Sequence, residues 1–417
     1  MSSAPPKPPA DPDSARTIRT AIICLSLAAF ASGSSMRLTD SLLPRLASDF
    51  QLSLGTASYT ITSFSIAYGL AQLLFGPLGD RFGKYLVIAM ACAAGVVTAL
   101  LCAMAPTFPL LIAARLLAGA TAAAVIPLSM AWIGDVIPYE QRQPVLARFL
   151  IGQILGVSCG VLLGGLAADH FGWRPPFVGI AGLFAVISAI LFSLDRRLPD
   201  HARVVRKSEG RVIARMVSEF GEVLGKRWVK VVLATVFLEG MFLYGAFAFI
   251  TSHLHQNFGV SLTTAGALVM LFGLGGILFA MFSASLVRRL GEIGLIRWGG
   301  GLVCAALLSI GLAPSWIWAV PGCFVAGLGF YMFHNTLQIN ATQMAAERRG
   351  AAVSSFASCF FLGQSLGVAL AAWLIAGLGT GPVIAGFAIG LFAIAWNFSL
   401  RKAKQADLES KLRVAGS

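Results

Sequence analysis

Charged side chains inside long apolar runs are the first residues to explain, because a charge at membrane depth is costly and marks function by default. Arg37 and Asp40 stand three residues apart in such a run. On a helix that spacing puts them on one face, where they can form a neutralised pair or leave Asp40 to carry a proton. Glu239 has Val236-Phe-Leu before it and Gly-Met-Phe-Leu after it, and Tyr244 follows one further turn along. A carboxyl in that setting can take up and release a proton, or can be a buried carboxyl bonded to a neighbouring helix. Arg115 lies about eight residues into its run, roughly 12 Å along a helix. It needs a polar or acidic partner there, unless it reaches back to the interface along its own stem. His334 and Gln338, four apart, share a helix face and can hydrogen-bond a substrate or bridge two helices. Tyr68 and Tyr244 add aromatic hydroxyls to the same expected cavity. His253 and His255, at the end of a run, are expected in water.

The elements that must position these residues follow from composition. Of 417 residues, 57% are hydrophobic and 12% charged. Soluble proteins carry about 25% charged residues, and disordered chains are more polar still, so both classes are excluded. A membrane-crossing helix takes about 20 apolar residues. Twelve runs qualify, at about 20–43, 55–77, 85–105, 107–132, 145–168, 175–194, 229–252, 262–287, 293–313, 315–340, 350–377 and 380–400. The short apolar stretch Ala21 to Ala31 has the look of a signal peptide, but small polar residues after it suit a spanning helix that faces a cavity.

The expected fold class is an all-α membrane protein with twelve transmembrane helices in two six-helix bundles. The divisions are a cytoplasmic tail over 1–19, a first bundle over 20–194, a cytoplasmic linker over 195–228, a second bundle over 229–400 and a basic cytoplasmic tail over 401–417. With the N-terminus inside, nearly all Lys and Arg outside the spans fall on the cytoplasmic side, while Arg45 and Arg174 lie opposite. The positive-inside rule therefore accounts for the net charge of +13 without nucleic acid, and puts both termini in the cytoplasm. Within the linker, Val212, Met216, Phe220, Val223 and Leu224 are spaced for an amphipathic helix over 211–226, lying beside anionic membrane lipid. The seven cysteines form no C-x-x-C pair and sit in apolar runs, so neither a disulfide framework nor a metal site is expected. No G-x-x-x-x-G-K-[ST] loop or H-E-x-x-H occurs, so neither direct ATP use nor an enzyme is expected, and no cofactor.

The chain also repeats itself. A shift of 208 residues lays Gly76-Pro-Leu-Gly-Asp-Arg-Phe-Gly83 on Ala284-Ser-Leu-Val-Arg-Arg-Leu-Gly291, and Ala118-Gly119 on Ala326-Gly327. Two parallel repeats of six helices produce such a pattern.

Gly76-x-Leu78-x-Asp80-Arg81-x-Gly83-Lys84 resembles the loop signature of the major facilitator superfamily, between its second and third helices. The resemblance covers the chain from Ile18 to Leu400. Gly76 and Gly83 permit a tight turn, and Asp80 can gain from a helix dipole. The resemblance implies that Asp80 holds the two bundles together on the cytoplasmic side in one state, through the start of span eleven near Gly350. Anchoring of the loop at the interface by Asp80, Arg81 and Lys84 is the alternative. In the second copy Arg288 stands in place of the acid.

Leu111-Ile-Ala-Ala-Arg115-Leu-Leu-Ala-Gly119, with Pro127 beyond, looks like the span-four motif of the family's proton-coupled efflux members. Gly152, Gly156, Gly160 and Gly164 line one helix face, so a neighbour can approach closely. They also resemble the span-five antiporter motif, although Val161 stands where that motif has proline. Leu42 to Phe50 resembles the end of span one in drug-efflux members.

The function implied is secondary transport by alternating access. The substrate is a small organic compound, moved by proton-coupled efflux across a bacterial inner membrane by a monomer. Proton-coupled uptake or facilitated diffusion of a metabolite is the second reading, and a non-transporting sensor the third.

Overall fold

The computed structural model describes residues 12–199, 202–203, 221–222 and 224–415. In a bilayer every backbone polar group must bond within its own segment, and the chain meets that demand with helices. The first half holds α1 (Pro12–Asp49), α2 (Leu54–Ala57), α3 (Tyr59–Phe82), α4 (Lys84–Met104), α5 (Phe108–Ala122), α6 (Val125–Val136), α7 (Tyr139–His170) and α8 (Pro175–Asp195). After the linker come α9 (Arg227–Phe247), α10 (Ile250–Phe258), α11 (Leu262–Leu312), α12 (Ala319–Gln343), α13 (Arg349–Leu378) and α14 (Thr380–Ala415). Among the described residues, eleven helical segments are long and apolar enough to cross a membrane.

The longest differs from expectation. Two separate runs over 262–287 and 293–313 form one helical segment, α11, of 51 residues. At 1.5 Å per residue it would be about 75 Å long if straight, more than twice the apolar thickness of a bilayer. It breaks at Gly291, whose φ is +63°. Gly83, 208 residues earlier, sits between α3 and α4 with φ +90°. Both copies of the repeated loop therefore turn on a glycine in a conformation that side chains resist. The break between α5 and α6 has a different cause. Pro127 lacks the N–H that would bond back to Ala123, one residue before the break at Ala124.

Glycine also sets how close the helices lie. A Cβ on Gly152, Gly156, Gly160 or Gly164 of α7 would run into the carbonyls of Ser26, Phe30, Ser34 and Leu38 of α1, one turn after another. The second half repeats the contact 207 residues on: Gly363 and Gly367 of α13 lie against the carbonyls of Phe237 and Met241 of α9. Likewise Gly119 on α5 meets the Phe64 carbonyl of α3, and Gly327 on α12 meets that of Phe272 on α11.

The halves join along two seams, α7 with α11 and α3 with α13. Ser158 lies against Gly273, and Ser358 donates to the Gly69 carbonyl at 2.7 Å. Val161, in place of the motif's proline, is where Gly266 packs against the α7 backbone. The seams continue to the end that carries the turns at 50–53, 171–174 and 259–261, where Gly165 meets the Leu262 carbonyl and Gly55 that of Ala372, here the closed end. Toward the opposite end Leu78, Phe82, Met281 and Phe282 are exposed. The amphipathic helix expected over 211–226 falls outside the described residues, apart from its last turn. Of its apolar positions Leu224 is described, and it is exposed.

Candidate functional site

The middle of the molecule holds two polar clusters in an aromatic setting. In the first, Arg37 on α1 donates through Nη1 to Asp40 Oδ2 at 3.3 Å and through Nη2 to Gln364 Oε1 of α13 at 3.2 Å. Gln364 Nε2 donates in turn to Ser65 Oγ of α3 at 2.7 Å. Thr251 Oγ1 of α10 donates to the Asp40 carbonyl at 2.9 Å. The guanidinium carbon lies 3.7 Å from the ring centre of Tyr244 on α9, a cation–π distance. Arg37, Asp40 and Gln364 are all buried. The expected pairing of Arg37 with Asp40 therefore forms, and its network crosses between the halves to α13, α10 and α9.

Arg115 is fully buried and does not snorkel. Its partners are the carbonyls of Thr60 at 3.1 Å and Ser35 at 2.9 Å, and Thr39 Oγ1 at 3.4 Å. The Phe64 ring lies 4.3 Å below its guanidinium. Arg115 thus ties α5 to α1 and α3 through main-chain carbonyls, which can accept a second hydrogen bond while helical.

The second cluster joins two residues that the sequence offered separately. Glu239 on α9 is fully buried, and its Oε2 lies 2.9 Å from His334 Nδ1 on α12. Glu239 Oε1 is buried without a hydrogen bond among the described residues. Phe330 stacks on His334 at 4.9 Å, and Phe360 and Phe356 lie at 4.7 and 5.6 Å. Tyr244 touches Phe360 and Phe330 at 5.5 and 6.4 Å. One tyrosine therefore packs against both Arg37 and the rings that surround His334. A fully buried carboxyl beside a partly exposed imidazole is a candidate proton site.

Other expected residues take different places. Gln338 is exposed, one turn beyond His334, and makes no hydrogen bond among the described residues. Tyr68 is buried at the seam, its ring 4.1 Å from Phe361 and 6.0 Å from Phe64, so it seals the halves together where a cavity-lining role was expected. His253 was expected in water and is instead buried. Its Nε2 lies 3.1 Å from the Ile310 carbonyl and its Nδ1 2.8 Å from Thr380 Oγ1, because α11 and α14 close over the start of α10.

In the loop signature Asp80 is half exposed and pairs with Lys84 at 3.8 Å, while Lys84 bonds to Asp135. The expected contact between Asp80 and the helix start near Gly350 is replaced by this local pair. Gly350 and Gly76 both face open space, consistent with halves that part at this end. Arg81 lies over the Phe82 ring at 5.2 Å.

Two residues escaped the sequence reading. Gln364 is a lone amide in the run 350–377, which was the signal that could have found it. Asp169, one residue past the apolar run 145–168, bonds to the start of α11.

Comparison with known proteins agrees with this architecture. The model of the Major Facilitator Superfamily matches residues 25–368. The uncharacterized MFS-type transporter YceJ of Bacillus subtilis is 23% identical over 389 residues, 92% of this chain and 97% of that protein. A bicyclomycin resistance protein homolog of Haemophilus influenzae is 26% identical over 317 residues, covering 73% of this chain and 75% of its own length. A partially occluded inward open structure of the xylose transporter XylE from E. coli superposes with a TM-score of 0.71, over 91% of this chain and 96% of that one. At 15% identity this last likeness concerns the fold alone.

Proposed function

The chain belongs to the Major Facilitator Superfamily, and on that premise we propose that this membrane transporter exports a small organic compound in exchange for protons. The buried pair of Glu239 and His334 carries the reading: a carboxyl 2.9 Å from an imidazole, at the edge of an aromatic chamber, is a proton site beside a substrate site. The relative named as a bicyclomycin resistance protein homolog supports the outward direction.

The chain then crosses the bilayer twelve times, with the break at Gly291 dividing two spans. Residues 20–194 and 229–400 form the two bundles, and 195–228 links them on the cytoplasmic side together with both termini. The closed end faces outward on this reading, which makes the arrangement described above the inward-open one, open to the cytoplasm. Substrate enters there beside Tyr244, His334 and Gln338. After the halves tilt, a proton arriving from outside takes its place at Glu239, and return to the inward state releases that proton. Asp40, held by Arg37, is the reserve proton site, and Arg115 is a fixed brace. Asp80, Arg81 and Lys84, with Gly76 inside α3 and the turn at Gly83, close the cytoplasmic end in the other state. Gly152, Gly156, Gly160 and Gly164 keep α7 against α1 throughout.

The test begins with a thermal-stability screen of the purified protein against cationic dyes, antibiotics, sugars and amino acids. A stabilising compound is then added to protein in weakly buffered solution, and to vesicles carrying a pH gradient. Protons released on binding and accumulation against the gradient support the exchange. Protons taken up would establish uptake by symport instead. Transport without proton movement would reduce the chain to a facilitator.

A further inference from the structure

The first N–H groups of a helix have no partner inside it. At the start of α11 the Ser261 hydroxyl accepts from Thr264 N at 3.1 Å. The remaining donors are answered from the other half of the molecule. Asp169, next to the end of α7, accepts from Leu262 N at 3.2 Å, from Thr263 N at 2.7 Å and from Thr263 Oγ1 at 2.6 Å. A carboxylate gains at a helix N-terminus from the dipole as well as from the bonds themselves. Beneath it, Gly165 admits the Leu262 carbonyl and Gly266 the Val161 carbonyl, so the two backbones meet.

The equivalent seam repeats this packing without the acid. Gly55, beside the start of α2, lies against the Ala372 carbonyl of α13, and Ser53 caps Thr56 N as Ser261 caps Thr264 N. The residue 207 after Asp169 is Ala376. At the opposite end the acid is again on one copy, but on the other seam: Asp80 ends α3, with Arg288 as its equivalent. The two carboxylates thus lie diagonally, one per seam, at opposite ends. Asp169 is engaged across the halves at the closed end, while Asp80 bonds only within its own half, to Lys84.

We infer that Asp169 is the outer latch of the transport cycle, which grips α11 while the closed end is shut and releases it when that end opens. This rests on the transporter reading above. Release is physically cheap enough to be reversible. Asp169 is exposed at the membrane surface, so water can replace its bonds, and the Ser261 cap stays with α11 in either state.

The test uses the full chain in lipid nanodiscs, with the native cysteines replaced and spin labels at Pro106→Cys and Pro314→Cys. Both positions are exposed turn residues at the closed end, one in each half. Asp169→Asn should raise the population with a long label–label distance about tenfold, the factor attached to losing one charge-assisted hydrogen bond. Thr263→Val, which keeps the acid, should raise it by a smaller factor, and serves should Asp169→Asn fail to fold. Unchanged distances in the folded variants would make Asp169 a static cap and overturn the latch. The distances need neither substrate nor gradient. A chain that opens on loss of Asp169 yet transports nothing in any screen keeps the latch and loses the transport reading.

Discussion

At position 37 the first half carries an arginine. The equivalent turn of α9, 207 residues on, carries Tyr244, and the two side chains meet at 3.7 Å. Such mismatches recur at three further charged positions. Arg115 has Cys323 as its counterpart, Asp80 has Arg288, and Asp169 has Ala376. The packing contacts do the opposite. Gly156 against Phe30 recurs as Gly363 against Phe237, and Gly119 against Phe64 as Gly327 against Phe272. Each half needs close helix packing to hold together without water, so the glycines stay in both. A buried charge is costly and is present only where it is used, so function lies where the repeat breaks. The two halves also hold their charges differently. The guanidiniums of the first are fixed by carbonyls, an amide and one carboxylate. The acid of the second is held by an imidazole.

The largest effect should come at Glu239, the proposed proton site. Glu239→Gln should bring transport driven by a pH gradient down to background while substrate-for-substrate exchange survives, because exchange moves no net proton. Flux measured with and without a gradient separates the two. Full gradient-driven accumulation in this variant, together with its loss in Asp40→Asn, would move the coupling site into the first half and reverse the contrast drawn above.

Next in size is the fixed pair. Asp40→Asn leaves Arg37 buried with Gln364 and Tyr244 alone, a change that costs about 3–5 kcal/mol for a broken buried pair. Replacing both, as Arg37→Gln with Asp40→Asn, should restore most of the lost stability in chemical unfolding. If the double variant is as damaged as the sum of the singles, the pair is not the unit that matters.

Smaller effects should appear at the repeated seam, where the contrast is sharpened by agreement. Gly156→Ala and Gly363→Ala each push a methyl into a carbonyl of the neighbouring helix, and overpacking of this kind costs about 1–3 kcal/mol. Similar losses in both variants are expected. A harmless change at one site alone would mean that the seam is specific to one half.

The smallest concerns how the linker is fastened. On the first half Trp132 Nε1 donates to the Ala202 carbonyl at 2.9 Å, in a buried setting. On the second, Lys226 Nζ donates to the exposed Glu347 Oε2 at 2.8 Å and thereby holds that carboxyl below its ordinary range. Such a pair contributes in full above the ordinary carboxyl pKa, and its contribution is lost as pH falls through the lowered value of the folded state. Solvent screens it, so Lys226→Ala should leave the unfolding midpoint within error at pH 7 and identical once acid has protonated Glu347. A drop as large as that of Gly156→Ala would make this tether structural.

The folded arrangement was legible where a single segment contains its own cause. Arg37 and Asp40 pair because three residues on a helix bring them together. The seam of Gly152 to Gly164 reads from spacing alone, although its partner on α1 does not. The shared positive φ of Gly83 and Gly291 follows the repeated loop. Tyr68 and His253 were misjudged for a common reason: a short aromatic or a terminal histidine looks alike whether a second helix covers it or not. Gln338 was paired with His334 by spacing, yet a turn of helix is enough to take one into the cluster and leave the other outside.

By itself the sequence determined an all-helical membrane protein, its repeat, its family and the residues whose burial needs explaining. Those properties depend on hydropathy, spacing and composition, which are local along the chain. Only the tertiary structure decided which of those residues meet. Glu239 reaches His334 across 95 positions and Arg37 reaches Gln364 across 327. Asp169 caps a helix of the opposite half. An isolated buried polar group states a debt of hydrogen bonds but not its creditor, because the partner is fixed by how helices distant in sequence pack.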